Sequence, residues 1–152
     1  TTIGQLVAVK MMLPFYDADD FHPASNVKKM QNGVALNDLD RQPWLELLSS
    51  ELNSWESNLG AVLACSALKE YYREILSSQC TNNINWVCLN GSHRLLRERL
   101  NSREGHYFNP QLLDSQLNSL ELPNYGWLID VQSPPSEIVK DICQRLNQQS
   151  LY

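Results

Sequence analysis

Phe15-Tyr16-Asp17-Ala18-Asp19-Asp20-Phe21-His22-Pro23 is the stretch on which the reading of this chain turns. A short apolar approach, Leu13 to Tyr16, runs directly into three carboxylates, an aromatic ring and a histidine. A buried parallel strand has this pattern when its C-terminal end opens into a polar crevice, the place where open α/β sheets bind ligands. Carboxylates this close repel one another unless water, a cation or a basic or hydroxyl-bearing ligand lies among them. Alone, the stretch also fits a polar loop with a helix cap. The neighbouring segments decide between the two.

Upstream, Thr1 to Met12 has helical spacing in Ile3, Leu6, Val7 and Lys10, with Met11 and Leu13 closing the apolar face and Pro14 ending the helix. Downstream, Ser25 is expected to cap a short helix through Met30 and Gln31, with Gly33 at its stop. Asp40 is expected to cap the next helix, with Pro43 in its first turn and its end near Gly60. The unbroken apolar run Ala61–Cys65 predicts a central strand, and Trp86–Leu89 and Trp127–Val131 predict two more. Helices follow each: one through Tyr72 and Leu76, a basic one from His93, another from Pro110 to Leu120, and a last one from Ser136 to about Gln148. Strands alternating with helices predict an α/β fold, a parallel sheet with helices on both faces.

The chain has 152 residues, enough for one domain with one core. A net charge of −5 and a pI near 5.1 argue against a general nucleic-acid or anionic-membrane binder. No apolar run approaches the roughly 18 residues of a membrane span, and no basic segment leads into an apolar core as a signal peptide would. The four cysteines lack Cys-x-x-Cys spacing, so zinc is not expected. Cys65 and Cys88 fall in strand-like runs and are expected to be buried free thiols, which fits a reducing, cytoplasmic setting.

In a parallel sheet the C-terminal ends of the strands share one edge. That edge would gather Asp17, Asp19 and Asp20, then Ser66 and Lys69, then Asn90-Gly91, with the Asp38, Asp40 and Arg41 knot folding over it. Acids, cations and a hydroxyl together suit a small, hydroxyl-rich anion: Lys and Arg pair with a carboxylate or phosphate, and Asp accepts from hydroxyls. One Asp could take a proton from an attacking hydroxyl. The arginines before Gly105-His106 fit a lid that closes on phosphates, or a solvated helix face.

These blocks resemble the gluconokinase family, small kinases of the P-loop, shikimate-kinase-like fold. They are Phe15 to Pro23, Leu36-Asn37-Asp38-Leu39-Asp40-Arg41-Gln42-Pro43-Trp44-Leu45, Ala64-Cys65-Ser66-Ala67-Leu68-Lys69 with Tyr72-Arg73, Arg99-Leu100 with Arg103 to Phe108, and Gln116 with Leu120-Glu121 before Pro123. The resemblance spans nearly the whole chain in order. It implies one three-layer α/β/α P-loop kinase-like domain over residues 1–152, with a small helical lid at about 97–112. It implies ATP- and Mg²⁺-dependent phosphorylation of D-gluconate to 6-phosphogluconate, feeding the pentose phosphate route, and is compatible with a homodimer. By position, Asp19 is the implied base, and Asp17 and Thr1 the implied Mg²⁺ partners. His22, Lys28, Arg41, Ser66, Lys69 and Arg73 are implied gluconate contacts. Thr1, Thr2, Arg99, Arg103, Gly105 and His106 are implied on the nucleotide side. His22 also fits a loop-packing role, Arg73 a helix-surface ion pair and Ser66 a helix cap.

Family members begin with a strand and a Gly-rich phosphate loop ending in Gly-Lys-Ser/Thr. Thr1-Thr2-Ile3-Gly4 matches the residues just after that lysine, so the first strand and its loop are expected to be absent from this chain. The alternative expectation is a non-catalytic remnant that binds gluconate or a partner without holding ATP phosphates. A shikimate or nucleoside monophosphate kinase is a third reading, disfavoured by the Leu-Asn-Asp-x-Asp-Arg and Ala-Cys-Ser-Ala-Leu-Lys blocks.

Overall fold

The structure, a computed structural model, describes residues 1–101 and 112–149. In order these form α1 (Thr2–Met11), β1 (Phe15–Asp17), a 3-10 turn (Ala18–Phe21), α2 (Ala24–Gln31), α3 (Asp38–Glu56), β2 (Val62–Ala64) and α4 (Glu70–Ser77). β3 (Val87–Asn90), α5 (His93–Asn101), α6 (Leu113–Ser119), β4 (Trp127–Asp130) and α7 (Pro135–Gln149) complete the order. The expected alternation of strands and helices is observed, with boundaries shifted by one to four residues.

Each strand pair is parallel. β1 pairs with β2 in the register Phe15↔Val62 to Asp17↔Ala64, and β3 pairs with β4 from Val87↔Trp127 to Asn90↔Asp130. Among the described residues the strands thus form two ribbons, β1–β2 and β3–β4. Side chains alternate across a strand, and here the alternation separates two cores. Val62 and Val87 pack with Ile3 and Val7 of α1, Ile138 and Ile142 of α7, and Ile129 and Val131 at β4. Their neighbours Leu63 and Trp86 pack on the other side with Trp44, Leu45 and Leu48 of α3 and Tyr72 and Leu76 of α4. Helices therefore cover both faces, giving the three-layer α/β/α arrangement.

Two close approaches fix the ribbons against their surroundings. A Cβ on Gly4 would come within 2.8 Å of the Phe15 ring, so α1 lies tightly on β1. Gly126, at φ +71°, turns the chain into β4 where a Cβ would meet the Trp86 carbonyl at 2.5 Å.

Several local expectations need correction. α2 starts at Ala24 behind Pro23 and has no side-chain cap, so Ser25 lies inside the helix. α3 is capped by Asn37, three residues before the expected Asp40. Asp40 sits in the first turn and returns the bond: Asn37 Oδ1 accepts from the Asp40 amide at 2.8 Å, and Asp40 Oδ2 from the Asn37 amide at 3.1 Å. Pro43 consequently lies inside the helix and denies the Leu39 carbonyl its intrahelical donor. Leu39 is 84% exposed, so water can take that place. Cys65 and Cys88 are free, as expected; Cys88 is half-buried, Cys65 is partly exposed as a residue while its thiol is buried, and Cys143 is buried. Leu6, expected on the inner face of α1, is exposed. Among the described residues no helix is long and apolar enough to cross a membrane.

Candidate active site

The 3-10 turn after β1 is organised by its own first carboxylate. Asp17 Oδ1 accepts from the Asp19 amide at 3.2 Å, and Oδ2 accepts from the Thr1 hydroxyl at 2.7 Å. Thr1 and Asp17 are thereby brought together at the C-terminal end of the β1–β2 ribbon. Next to them, burial and the charge of Asp19 push the Cys65 thiol up to about 12, so this sulfur stays protonated and unreactive.

Beside this strand end lies a cavity of about 260 Å³. One wall is the first turn of α3, with Asn37, Asp38 and Arg41; a second is the entry to α4, with Leu68, Lys69 and Tyr72. Ser115, Gln116 and Ser119 of α6 face them, and Met30, Leu36 and Leu112 pack together at an apolar border. The first turns of α3 and α4 both open here, and helix N-termini favour negative charge.

The cations of this cavity are held in different ways. The Lys69 ammonium donates to both Asp38 oxygens, at 2.7 and 2.9 Å, and Tyr72 donates a short bond to the same carboxylate. These bonds, that of Lys69 first, hold Asp38 below the usual carboxylate range and raise Lys69 above its own. Burial, reinforced by Asp38, raises the Tyr72 phenol. Arg41 is only 6% exposed and makes no side-chain hydrogen bond or ion pair among the described residues. Its guanidinium carbon lies 5.7 Å from the centre of the Tyr72 ring, and the Lys69 nitrogen 5.5 Å from the same centre. None of the Arg41 nitrogens is among the buried polar atoms left without a partner, so they open into the cavity, where water or a ligand can accept from them. Arg41 also joins the two parts of the site electrostatically, since its charge acts on His22, Cys65, Asp38 and Asp40.

His22 is buried and stacked on Trp44, with ring centres 4.4 Å apart. Its Nδ1 has no hydrogen-bond partner among the described residues. Burial and, secondarily, Arg41 lower its pKa to about 4, so the ring is neutral near pH 7. Trp44 is itself fixed by a 2.7 Å bond from its indole N–H to the Ala18 carbonyl.

Of the predicted sugar-acid contacts, Arg41 and Lys69 line the cavity. Ser66 is half-buried in the loop between β2 and α4. Lys28 is exposed on α2, while its neighbour Lys29 binds Asp40 at 2.6 Å. Arg73 lies behind the loop, 3% exposed, with its nitrogens bonded to protein acceptors. On the predicted nucleotide side, Thr2 is exposed at the start of α1, and Arg99 donates to the Val131 carbonyl. Arg103, Gly105 and His106 lie outside the described residues, as does most of the expected lid. The sequence placed Asp38 in the knot over this edge but gave it no ligand contact, and it gave Tyr72 no role in the site. The available signal was Tyr72 three positions after Lys69, which puts both on one face of α4.

The oxygens of Thr1 and Asp17 are hard donors of the kind Mg²⁺ takes. Mg²⁺ needs only one or two protein oxygens when phosphates and water complete its shell. No group of three or more His, Cys, Asp or Glu able to hold a metal occurs among the described residues.

No family model matches the chain. Its relatives are nevertheless clear. It is 43% identical over 155 aligned residues to a Dictyostelium discoideum protein named "Probable gluconokinase", covering 93% of this chain and 78% of that one. It superposes on an unliganded sugar kinase from Janibacter sp. with a TM-score of 0.88 at 33% identity, covering 96% of this chain and 86% of that one. A gluconokinase from Sinorhizobium meliloti gives a TM-score of 0.82 at 35% identity, covering 97% and 89%. Shikimate kinase from Aquifex aeolicus, at 19% identity and a TM-score of 0.56 over 99% and 90% of the two chains, shares the fold. The chain belongs to the gluconokinase family.

Proposed function

We propose that the protein transfers the γ-phosphoryl group of ATP to the 6-hydroxyl of D-gluconate. The observation that carries this is Arg41: a buried guanidinium without a hydrogen-bonding partner among the described residues, facing a cavity that also holds a lysine, a carboxylate and several amides and hydroxyls. In this reading Arg41 and Lys69 take the carboxylate of the sugar acid. Asp38, Ser115 and Gln116 take hydroxyls along its chain. His22, Ser66 and Lys28 complete the sugar-acid side.

Asp19, at the end of β1, accepts the proton of the attacking hydroxyl. Thr1 and Asp17 supply the oxygens for Mg²⁺, which when bound offsets charge on the phosphates. Thr2, Arg99, Arg103, Gly105 and His106 form the nucleotide side, where positioned positive charge does most of the work in phosphoryl transfer. The cytoplasm is the compartment in which the four cysteines remain free thiols.

The test is a coupled assay for 6-phosphogluconate with calorimetric titration of D-gluconate. Turnover that needs ATP, Mg²⁺ and gluconate together is the expected result. Asp19→Asn should lower kcat by about 10²–10⁴ while leaving gluconate affinity within about twofold. Absence of gluconate binding together with phosphorylation of shikimate or a nucleoside monophosphate would overturn the proposal.

A further inference from the structure

We infer that Arg73 is a positioning residue: it fixes the Lys69 ammonium at the cavity rim by clamping the loop around Lys69, and touches no ligand itself. The inference rests on the reading of the cavity as a sugar-acid site.

Every nitrogen of the Arg73 guanidinium has a protein acceptor. Nη1 donates to the carbonyls of Ala67 at 2.7 Å and Leu68 at 3.4 Å, the two residues just before Lys69. Nη2 donates to the Glu121 carbonyl at 2.8 Å and to Glu70 Oε2 at 2.7 Å. Nε reaches Glu70 Oε2 and the Tyr125 hydroxyl, both at 3.1 Å. Tyr125 in turn donates to Glu70 Oε1 at 2.7 Å.

Glu121 secures the loop on both sides of Lys69. Its amide donates to the Leu68 carbonyl at 2.8 Å, and its Oε2 accepts from the Glu70 amide at 2.7 Å. The peptide groups before and after Lys69 are thus tied to one distant residue, which Arg73 holds from behind. Lys69 is left with its long side chain directed to Asp38 in the cavity wall.

A capping role alone does not account for this. The bond from the Glu70 amide to Glu121 already serves the start of α4. The Arg73 bonds to Ala67 and Leu68 go upstream of that helix, into the loop. A flexible lysine binds a small anion well only when its Cα is placed correctly, and a planar guanidinium is suited to fixing several carbonyls at once.

The experiment is a double-mutant cycle on D-gluconate affinity, read by calorimetry at a temperature where every variant is folded. Arg73→Lys keeps the charge and loses the fork; it should weaken gluconate by about tenfold. In a Lys69→Ala background the same change should alter affinity by no more than about twofold, because Arg73 acts through Lys69. Equal effects in both backgrounds would mean that Arg73 meets the ligand directly. A lower Tm with unchanged affinity would mean that it only supports the fold. Either result overturns the inference.

Tyr125→Phe removes the two bonds that its hydroxyl makes in the clamp, to Arg73 and to Glu70, and should give a smaller loss that also disappears with Lys69→Ala, which keeps the test usable where Arg73→Lys does not fold. If Lys69→Ala alone leaves gluconate affinity unchanged, the sugar-acid reading itself falls, and this inference falls with it.

Discussion

Arg41 and Arg73 are buried to almost the same depth, 6% and 3% exposed, and their surroundings are opposite. Arg73 is saturated: a carboxylate, a phenol and three carbonyls take its nitrogens. Arg41 faces a cavity with an aromatic ring on one side and no acceptor in hydrogen-bonding reach among the described residues. Burial alone therefore says little about what an arginine does. A buried cation whose donors all end on the protein holds the fold in register; one whose donors open into a cavity is placed to meet a ligand.

The largest effect should come from removing the saturated arginine. Arg73→Met leaves the Ala67 and Glu121 carbonyls and Glu70 Oε2 without their donor, and should destabilise the protein by about 3–5 kcal/mol, measured by urea unfolding. A loss below about 1 kcal/mol would erase the distinction between the two arginines. Arg41→Met should do the reverse. Stability should not fall, while gluconate affinity drops about a hundredfold, equivalent to roughly 2.7 kcal/mol. A clear loss of stability would mean that Arg41 is structural as well.

His22 sharpens the comparison through pH. Its folded pKa is depressed, by burial first and by Arg41 second, from 6.5 to about 4. Between those values the unfolded chain takes up a proton that the native ring refuses, so stability falls as pH drops through that window and is fully present above it. The contribution is on the order of 2 kcal/mol. Tm measured from pH 7 to pH 4 should decline more steeply for the wild type than for His22→Gln, and Arg41→Met should soften the decline. Parallel curves for the wild type and His22→Gln would show that His22 is not the group responsible. The smallest effect is local. Asn37→Ala removes one half of the capping box that sets the first turn of α3, which carries Asp38 and Arg41, and should cost about 1 kcal/mol in thermal unfolding. An unchanged Tm would show that tertiary contacts alone hold that turn.

Much of the fold was legible in the sequence because its signals are local. Ala61–Cys65 and, but for Asp130, Trp127–Val131 are short apolar runs that read as strands, and the amphipathic pattern after Pro134-Pro135 placed α7 within one residue at each end. The cap of α3 was misplaced because Asn37, Asp38 and Asp40 are all able caps. Asp40 folding back onto the Asn37 amide decides among them, and composition does not show that. Arg41 and Lys69, which the resemblance put on the sugar-acid side, line the cavity. That Lys29 rather than Lys28 pairs with Asp40 was not legible, because adjacent helical residues face different ways and the position of Asp40 is set by the tertiary fold. The state of Arg73 was not legible at all. Glu121 and Tyr125, which saturate it, are about fifty positions away and meet it only through the tertiary fold.

The most direct test of the central claim is a pair of calorimetric titrations, D-gluconate and D-glucitol, each against the wild type and Arg41→Met. Glucitol has the same carbon chain with a hydroxyl where gluconate has its carboxylate. If the Arg41 guanidinium is kept for that carboxylate, gluconate binds the wild type and loses about a hundredfold on the substitution, while glucitol binds weakly and equally to both proteins. Gluconate binding that is indifferent to Arg41→Met, or no better than glucitol binding in the wild type, would contradict the account.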